Sequence, residues 1–253
     1  MNIINQRKFE LFLKDYDVDF KGWNFSHIES THRVQEFPLD WSYRSIVLTY
    51  LVQSNKLLDM GTGGGEFLSS LPMLPEFTYA TESYLPNIDI AKNRLHPLGI
   101  NVIETLEDGN LPFLDQTFDL IINRHEYYNP KEVYRILKSK SFFITQQVGN
   151  QNAIELENWF DAHHKETGEW SLNKACLDLL SSGFVIERKE EMITKTRFYD
   201  LGAVLYYLKA VPWQIEDFAL KKYLPRIIDL HNRIEVDGFF DVSCHRLLLI
   251  TRK

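Results

Sequence analysis

The sequence predicts a doubly wound α/β fold, with one mostly parallel sheet of seven strands and helices on both of its faces. Short apolar runs alternate with helical patterns between about residues 39 and 150, which is typical of parallel strands joined by crossover helices. A cluster of four glycines directly follows the first apolar run. The composition, with 44% apolar and 13% aromatic residues, supplies enough side chains for a sizeable core.

The periodicity of the apolar residues predicts the elements in order along the chain. The predicted strands are 56–60, 77–81, 101–106, 118–123, 141–148, 184–188 and 242–251. The predicted helices are 39–53, 66–71, 87–95, 131–137 and 172–181. Glycine or proline lies at the ends of several of these elements, as expected of residues that end regular structure.

The chain is predicted to form a single domain of 253 residues with two additions. Residues 39–150 form its ligand-binding core, because they contain the regular alternation. An aromatic and irregular N-terminal arm, 1–38, precedes this core. An aromatic helical insertion, 196–225, follows it. We expect the arm and the insertion to lie over the ligand end of the sheet as a lid.

Composition argues against several classes of protein. The formal net charge of −7 argues against a nucleic-acid partner, although it does not exclude a local basic groove. The longest apolar run, 201–213, is interrupted by Lys209 and Pro212 and is too short for a membrane span. Cys176 and Cys244 are isolated, which predicts no metal site and a reduced, cytoplasmic setting.

The segment 57–66 carries the strongest ligand signal. It is a strand, a glycine turn and a helix start, and glycines let a backbone adopt positive φ and approach a ligand closely. No Gly-Lys-Ser/Thr follows, which excludes a P-loop. A dinucleotide fingerprint requires glycine where Glu66 stands, and a carboxylate there would repel a pyrophosphate. A cationic sulfonium meets no such objection.

The glycine segment resembles motif I of the class I S-adenosylmethionine-dependent methyltransferases. The match is D-x-G-x-G-x-G, formed by Asp59, Gly61, Gly63 and Gly65. The resemblance implies a Rossmann-like methyltransferase fold and S-adenosylmethionine as the cofactor. It also implies that these four residues and Thr62 hold that cofactor.

Later segments resemble the same family in the same order. Glu82 ends the second strand, where an acidic residue usually binds ribose hydroxyls. The segment 107–113 is similar to the family's D-x-x-x-L-P-F segment near adenine, with the register open between Glu107 and Asp108. Asn123 ends the strand that resembles the family's fourth, and we expect it to border the cofactor.

Four further segments are similar to a subgroup of bacterial methyltransferases with a type 11-like domain. These segments are 23–26, 81–87, 123–126 and 145–149. The resemblance then extends over nearly the whole chain. It implies neither a substrate nor an oligomeric state.

Candidate catalytic residues follow the fourth predicted strand, which ends beside the methyl group in this fold. His125 is the natural general base because its ordinary pKa is near neutrality; the alternative is a polar cluster that orders a loop. Arg124 binds an anionic substrate or simply pairs with Glu126. Gln146 and Gln147 end the fifth strand, where alternation of side chains allows at most one of them to be functional.

The sequence therefore predicts an enzyme that transfers a methyl group from S-adenosylmethionine to a small, partly apolar acceptor enclosed by the arm and the insertion. A ribosomal RNA base methyltransferase is the first alternative, because 208–213 resembles the C-terminal region of ribosomal guanine-N1 methyltransferases. Those enzymes carry an N-terminal four-cysteine zinc module that this chain lacks. The second alternative is a non-catalytic protein that binds S-adenosylmethionine.

Overall fold

The structure is a computed structural model that describes residues 3–106, 109–162 and 170–253, and side chains from residue 6 onwards. Contacts between residues divide the chain into two compact units. The arm unit is made of Met1–Pro38, Gln151–Gly168 and Ile193–His245. The glycine-turn unit is made of Leu39–Asn150, Glu169–Met192 and Arg246–Lys253. That both belong to one domain stays a prediction.

Strands and helices alternate along the described chain between residues 34 and 104. The strands are β1 (Val34–Glu36), β2 (Lys56–Met60), β3 (Phe77–Glu82), β4 (Asn101–Glu104), β5 (Phe118–Arg124), β6 (Leu137–Val148), β7 (Val185–Phe198) and β8 (Phe240–Arg252). The helices are α1 (Ile3–Leu13), α2 (Ser26–Glu29), α3 (Tyr43–Leu51), α4 (Glu66–Ser69), α5 (Leu85–Leu95), α6 (Pro130–Ile136), α7 (Ile154–Trp159), α8 (Leu172–Ser181), α9 (Leu201–Ala210) and α10 (Leu220–Asp237).

The strands form one sheet in the order β1-β7-β8-β6-β5-β2-β3-β4. The five strands from β6 to β4 in this order are parallel, whereas β8 is antiparallel to β6 and β1 is antiparallel to β7. The predicted doubly wound, mostly parallel α/β fold is therefore confirmed. The chain order reverses between β2 and β5, and such a switch point is where open α/β sheets bind ligands.

The register aligns the carboxyl ends of four parallel strands. Thr81 of β3 lies opposite Met60 of β2, which lies opposite Asn123 of β5, which in turn lies opposite Thr145 of β6. The two central strands of this row, β2 and β5, are buried over most of their length, as is typical of a parallel sheet covered on both faces. The residues that follow this row are therefore brought to one edge of the sheet.

Side-chain oxygens begin several helices by accepting hydrogen bonds from backbone N–H groups of the first turn. Ser42 accepts from the N–H of Ser45 at the start of α3, at 3.2 Å. Asp200 accepts from the N–H of Ala203 at the start of α9, at 2.9 Å. Such caps fix where a helix starts and therefore which residues precede it.

Three expectations about the elements were wrong. Over the described residues the sheet has eight strands instead of seven, because β1 lies within the arm that was predicted to be irregular. The strand predicted at 184–188 continues to Phe198, so the insertion predicted to be helical from 196 begins as a strand. Its last helix, α10, extends to Asp237 and contains Pro225, where a helix end was predicted.

The arm unit has an aromatic core of its own. Phe198 and Tyr206 are buried, and Phe25 packs edge-on against Tyr206 with ring centres 6.4 Å apart. Trp23 and Trp213 stay exposed and pack on each other at 5.7 Å. Most aromatic side chains of the arm and the insertion are thus used in the core of this unit.

A charged cluster joins distant segments within the arm unit. Arg33 donates to Asp15 at 2.8 Å and to Asp200 at 2.7 and 2.8 Å. The Arg33 guanidinium lowers the pKa of Asp15 against the opposing effect of burial. Gly202 lies directly beside Asp15, where a Cβ atom would overlap the carboxylate.

Candidate active site

The turn after β2 is built from glycines in the left-handed region of backbone conformation. Gly61, Gly63 and Gly65 have φ values of +65°, +63° and +80°. The N–H of Thr62 donates to the carbonyl of Thr81 at 2.9 Å, and the N–H of Gly65 donates to the carbonyl of Thr62 at 3.0 Å. Since side chains other than glycine rarely adopt positive φ, the motif spacing is a requirement of this turn.

Two of these glycines also lie against other residues. A Cβ atom on Gly61 would overlap the side chain of Glu126, which follows β5. A Cβ atom on Gly65 would lie 2.8 Å from Leu95, at the end of α5. The turn therefore needs glycine for its close contacts as well as for its backbone conformation.

Asp59, one residue before the end of β2, is a buried carboxylate. It accepts a hydrogen bond from the hydroxyl of Thr62 at 2.8 Å. Burial raises the pKa of Asp59 to about 7, against the lowering effects of Thr62 and Arg124. The Asp59 carboxylate stabilises the turn, because its hydrogen-bond partner Thr62 is a residue of the turn.

Glu82, the last residue of β3, is also a buried carboxylate. It accepts hydrogen bonds from the backbone N–H groups of Ser83 at 3.0 Å and Tyr84 at 2.9 Å. Burial raises the pKa of Glu82, while the hydrogen bonds from Tyr84 and Ser83 oppose that effect. The residue before Glu82, Thr81, accepts from the N–H of Thr62, so Glu82 follows a strand that is bonded to the glycine turn.

The segment expected near adenine is described only from Gly109 onwards, so Glu107 and Asp108 lie outside the described residues. The residues that follow are held by α6. Glu132 accepts from the N–H of Leu111 at 3.1 Å, and Arg135 donates to the carbonyls of Leu111 at 3.0 Å and Phe113 at 2.7 Å. The register of this segment stays a prediction.

Asn123 is fully buried at the carboxyl end of β5. Its Oδ1 accepts from the Thr145 hydroxyl at 2.8 Å and from the Gln147 amide at 2.6 Å. Its Nδ2 has no hydrogen-bond partner among the described residues. A buried amide donor without a partner is costly, and it marks a place where a ligand oxygen would be stabilised.

Arg124 is exposed, and its guanidinium lies over the ring of Phe67, 4.9 Å from the ring centre. In the part of the chain that the structure describes, no carboxylate lies within 4.0 Å of this guanidinium. The predicted alternative of an ion pair with Glu126 is therefore not observed. The positive charge of Arg124 acts to lower the pKa of Asp59 and the pKa of His125, so the guanidinium lies near both side chains.

His125 has a positive φ of 63°, and its N–H donates to the carbonyl of Gln146 at 2.8 Å. Its Nε2 lies 3.3 Å from Nε2 of Gln146, whose Oε1 accepts from the indole N–H of Trp41 at 2.9 Å. The pKa of His125 is lowered well below its ordinary value by the surrounding protein and by Arg246 and Arg124.

Gln146 and Gln147 belong to separate hydrogen-bond networks, as the alternation of side chains along a strand predicts. Gln146 contacts Trp41 and His125, whereas Gln147 donates to Asn123 and to the carbonyl of Glu126 at 3.0 Å. Both glutamines are buried. Each therefore supports residues that follow β5, and it is Gln146 that contacts the candidate histidine.

Three residues of the site were not identified from the sequence. Trp41 lies two residues before α3, and Tyr43 is the first residue of that helix, where its hydroxyl donates to the carbonyl of Asn123 at 3.0 Å. Arg246 lies on β8, opposite Val148 of β6. Each reaches the site from a segment distant along the chain, so no local motif marks it.

The described helices include none that is long and apolar enough to cross a membrane. Over the described ranges, no group of three or more histidine, cysteine, aspartate or glutamate side chains is arranged to hold a metal ion.

Comparison with known proteins identifies the family of the central segment. Residues 58–145 match the model of a methyltransferase domain. They include β2, the glycine turn, β3, β5 and the candidate residues that follow β5. No curated protein matches the chain in sequence.

Solved structures share the fold at low sequence identity. A candidate methyltransferase of Bacillus halodurans C-125 is similar, with a TM-score of 0.59, 14% identity and coverage of 84% of this chain and 99% of the other. The YcgJ protein of Bacillus subtilis has a TM-score of 0.55, 13% identity and coverage of 83% and 97%. The [4+2]-cyclase SpnF has a TM-score of 0.50, 13% identity and coverage of 99% and 94%. At such identity the likeness establishes the fold alone.

Proposed function

We propose that this chain, a class I S-adenosylmethionine-dependent methyltransferase, transfers the methyl group to a small-molecule acceptor. The methyltransferase domain at 58–145 carries the general activity. When bound, the cofactor supplies an electrophilic methyl group on a sulfonium. The protein must then position the acceptor for in-line attack, which provides much of the acceleration in such reactions.

The observation that best supports the cofactor site is the connection between the glycine turn and Glu82. Three glycines with positive φ form the turn that follows β2, and the N–H of Thr62 within it donates to the carbonyl of Thr81, the residue before Glu82, at 2.9 Å. We propose that the methionine portion of the cofactor lies against the backbone of this turn and is held by Asp59, Gly61, Thr62, Gly63 and Gly65. Glu82 would accept the ribose hydroxyls through charge-assisted hydrogen bonds.

Asn123 completes the proposed cofactor site. Its Nδ2 is the buried donor without a partner at the end of β5, which a cofactor oxygen would satisfy. Glu107 and Asp108 keep their proposed role near adenine, although they lie outside the described residues.

The charge of Glu66 does not distinguish an S-adenosylmethionine site from a dinucleotide site in the folded protein. Glu66 pairs with Arg94, which compensates the carboxylate that was expected to repel a pyrophosphate. The exclusion of NAD then depends on the spacing of the glycines and on the methyltransferase domain match. We expect S-adenosylhomocysteine to bind and NAD to bind poorly, as measured by calorimetry.

Charge supports a small acceptor over RNA. Between Thr196 and Pro225, three acidic and four basic residues leave a single net positive charge. Arg197, one of the four, is paired with Asp241 at 2.6 Å. A protein that binds a phosphate backbone would be expected to carry more free basic charge there. Enclosure of the acceptor by the arm and the insertion stays a prediction, and the packing of their aromatics in the arm-unit core lends it little support.

The decisive experiment is transfer of a labelled methyl group into a cell extract, followed by separation into RNA, protein and small-molecule fractions. We expect the label in the small-molecule fraction. Label in ribosomal RNA would favour the RNA alternative. Tight cofactor binding without any transfer would favour the non-catalytic alternative. The similar [4+2]-cyclase shows that this fold also allows chemistry other than methylation.

A further inference from the structure

We infer that the methyl acceptor is an oxygen acid that binds as its anion, paired with Arg124 and hydrogen-bonded to the Nδ1–H of a neutral His125. The inference rests on the proposed function and names the class of its acceptor. It depends on the orientation of three side chains in the glycine-turn unit: Trp41, Gln146 and His125.

The indole of Trp41 fixes the orientation of the Gln146 amide. An indole N–H can only donate a hydrogen bond, so the atom of Gln146 that faces it at 2.9 Å must be the carbonyl oxygen. The amide nitrogen of Gln146 consequently faces Nε2 of His125, 3.3 Å away. Both Trp41 and Gln146 are buried, which holds this arrangement in place.

The orientation of Gln146 in turn selects the tautomer of His125. An amide nitrogen only donates, so Nε2 of His125 must accept, and the ring proton must lie on Nδ1. A protonated ring would direct an N–H at the N–H₂ group of Gln146, which is repulsive. Nδ1 has no hydrogen-bond partner among the described residues, and the ring is exposed, so Nδ1–H can reach a substrate.

This arrangement argues against the general base predicted from the sequence. The Nε2 lone pair is used by Gln146, and Nδ1 has no lone pair to accept a proton. The positive charges of Arg246 and Arg124 also oppose the gain of a proton by the ring. His125 therefore serves as a donor, and the acceptor must attack without losing a proton to it.

The charges around the ring select the acceptor. Arg124 has no carboxylate partner among the described residues, and its charge acts on both Asp59 in β2 and His125 after β5. When bound at the proposed site, the cofactor would add the positive charge of its sulfonium. An ammonium acceptor would be repelled there and would need a base, whereas an oxygen anion would be attracted and needs none.

The reaction then balances without an added base. A lone pair of the acceptor oxygen forms the new O–C bond as the C–S bond breaks, and the sulfur keeps the bonding pair. The negative charge of the acceptor and the positive charge of the sulfonium disappear together. The products are a methyl ester or a methyl ether and a neutral thioether, according to whether the acid was a carboxylic acid or a phenol.

The first test reads the tautomer directly by ¹⁵N nuclear magnetic resonance of the imidazole, with His125→Asn to assign the signals. We expect a pyrrole-type shift at Nδ1 and a pyridine-type shift at Nε2 in the wild-type protein at neutral pH. Gln146→Glu should invert the tautomer, because a carboxylate at that position only accepts. Trp41→Phe should leave the fold intact and mix the two tautomers. A wild-type ring with its proton on Nε2, or a charged ring, would overturn the inference.

The second test classifies the labelled product from the cell extract. Label released as methanol by mild alkali indicates an ester, and alkali-stable label that hot hydriodic acid releases as methyl iodide indicates an ether; both support the inference. Alkali-stable label that this acid does not release would place the methyl group on carbon and would overturn the inference. A cationic N-methyl product would overturn it and leave the proposed function intact. No labelled product at all, with S-adenosylhomocysteine still bound, would refute the proposed function and this inference with it.

Variants of Arg124 tie the product to this site. Arg124→Gln should raise the KM for the acceptor at least about tenfold, and Arg124→Lys should recover part of that loss because it keeps the charge. Affinity for S-adenosylhomocysteine should stay within about twofold of wild type in both variants. An unchanged KM in a folded Arg124→Gln protein would contradict the assigned ion pair.

Discussion

The substitution Gly61→Ala separates the two demands that the turn places on glycine. At a φ of +65°, alanine incurs left-handed strain of about 1–2 kcal/mol. Its Cβ atom would also displace the Glu126 side chain, whose carboxylate accepts from the N–H of Tyr127 at 3.1 Å. Loss of that hydrogen bond adds about 1 kcal/mol. We therefore expect the free energy of unfolding to fall by about 2–3 kcal/mol.

Gly99→Ala is the matched control. Gly99 has a φ of +77°, and a Cβ atom there would meet no atom within 4 Å. This variant should show the strain alone, about 1–2 kcal/mol, and unchanged cofactor affinity. The difference between the two variants, measured by urea unfolding, then reports the displacement of Glu126.

Cofactor affinity decides whether the turn has its proposed role. Gly61→Ala should weaken binding of S-adenosylhomocysteine at least about tenfold in calorimetry, which is about 1.4 kcal/mol. The reason is that the turn must rearrange to accommodate the new side chain. A folded Gly61→Ala protein that matches Gly99→Ala in both stability and affinity would refute this reasoning.

Three further predictions address the carboxylates and the charged cluster. Glu82→Gln should weaken S-adenosylhomocysteine binding about tenfold in calorimetry through loss of charge-assisted hydrogen bonds; wild-type affinity would remove Glu82 from the ribose site. Asp59 has a folded pKa of about 7, above its unfolded value of 3.8, so the native state binds the extra proton and stability falls as pH rises from about 4 to 7. Asp59→Asn should lessen that fall in urea unfolding at stepped pH, and an unchanged slope would contradict it. Arg33→Ala should lower the free energy of unfolding by about 3 kcal/mol because the guanidinium is lost, which leaves Asp15 with His27 and Asp200 with the N–H of Ala203, whereas Arg33→Lys should lose less; equal losses would show that charge is unimportant there.

Local sequence was sufficient where local chemistry decides the structure. The strand at 56–60 and the helix at 172–181 have the predicted bounds, because each is a short periodic segment closed by clear end signals. The glycine turn followed from the same kind of information, since positive φ restricts the residue type at single positions. The motif therefore located Asp59 and Gly61 before any contact was known.

Elements formed by distant contacts could not be predicted in the same way. Strand β1 has only three residues, two of them exposed, and it is a strand because it pairs with residues 196–198. The second half of β7 did carry a signal. Met192, Thr194 and Thr196 alternate as half-buried residues, but charged residues near them concealed the period of two.

The residues of the candidate site likewise divide into those marked by local sequence and those brought in by distant contacts. Residues on the glycine turn and after β5 were identified from motifs, whereas the contact between Trp41 and Gln146 spans 105 positions in the chain. No pattern in a single sequence encodes such a contact. The tautomer of His125, and with it the choice between base and donor, therefore became visible only in the folded protein.

The place of β8 in the sheet has a consequence for how the protein is made. Strand β8 follows every other strand along the chain, yet it lies between β7 and β6 in the interior of the sheet. During synthesis, β6 must therefore present an open hydrogen-bonding edge for the time that about a hundred further residues take to emerge, which is several seconds or more at typical elongation rates. Such edges invite pairing with other chains. We expect folding in the cell to depend on chaperones that shield this edge, and substitutions that slow the docking of β8 to lower the yield of native protein more than they lower its final stability.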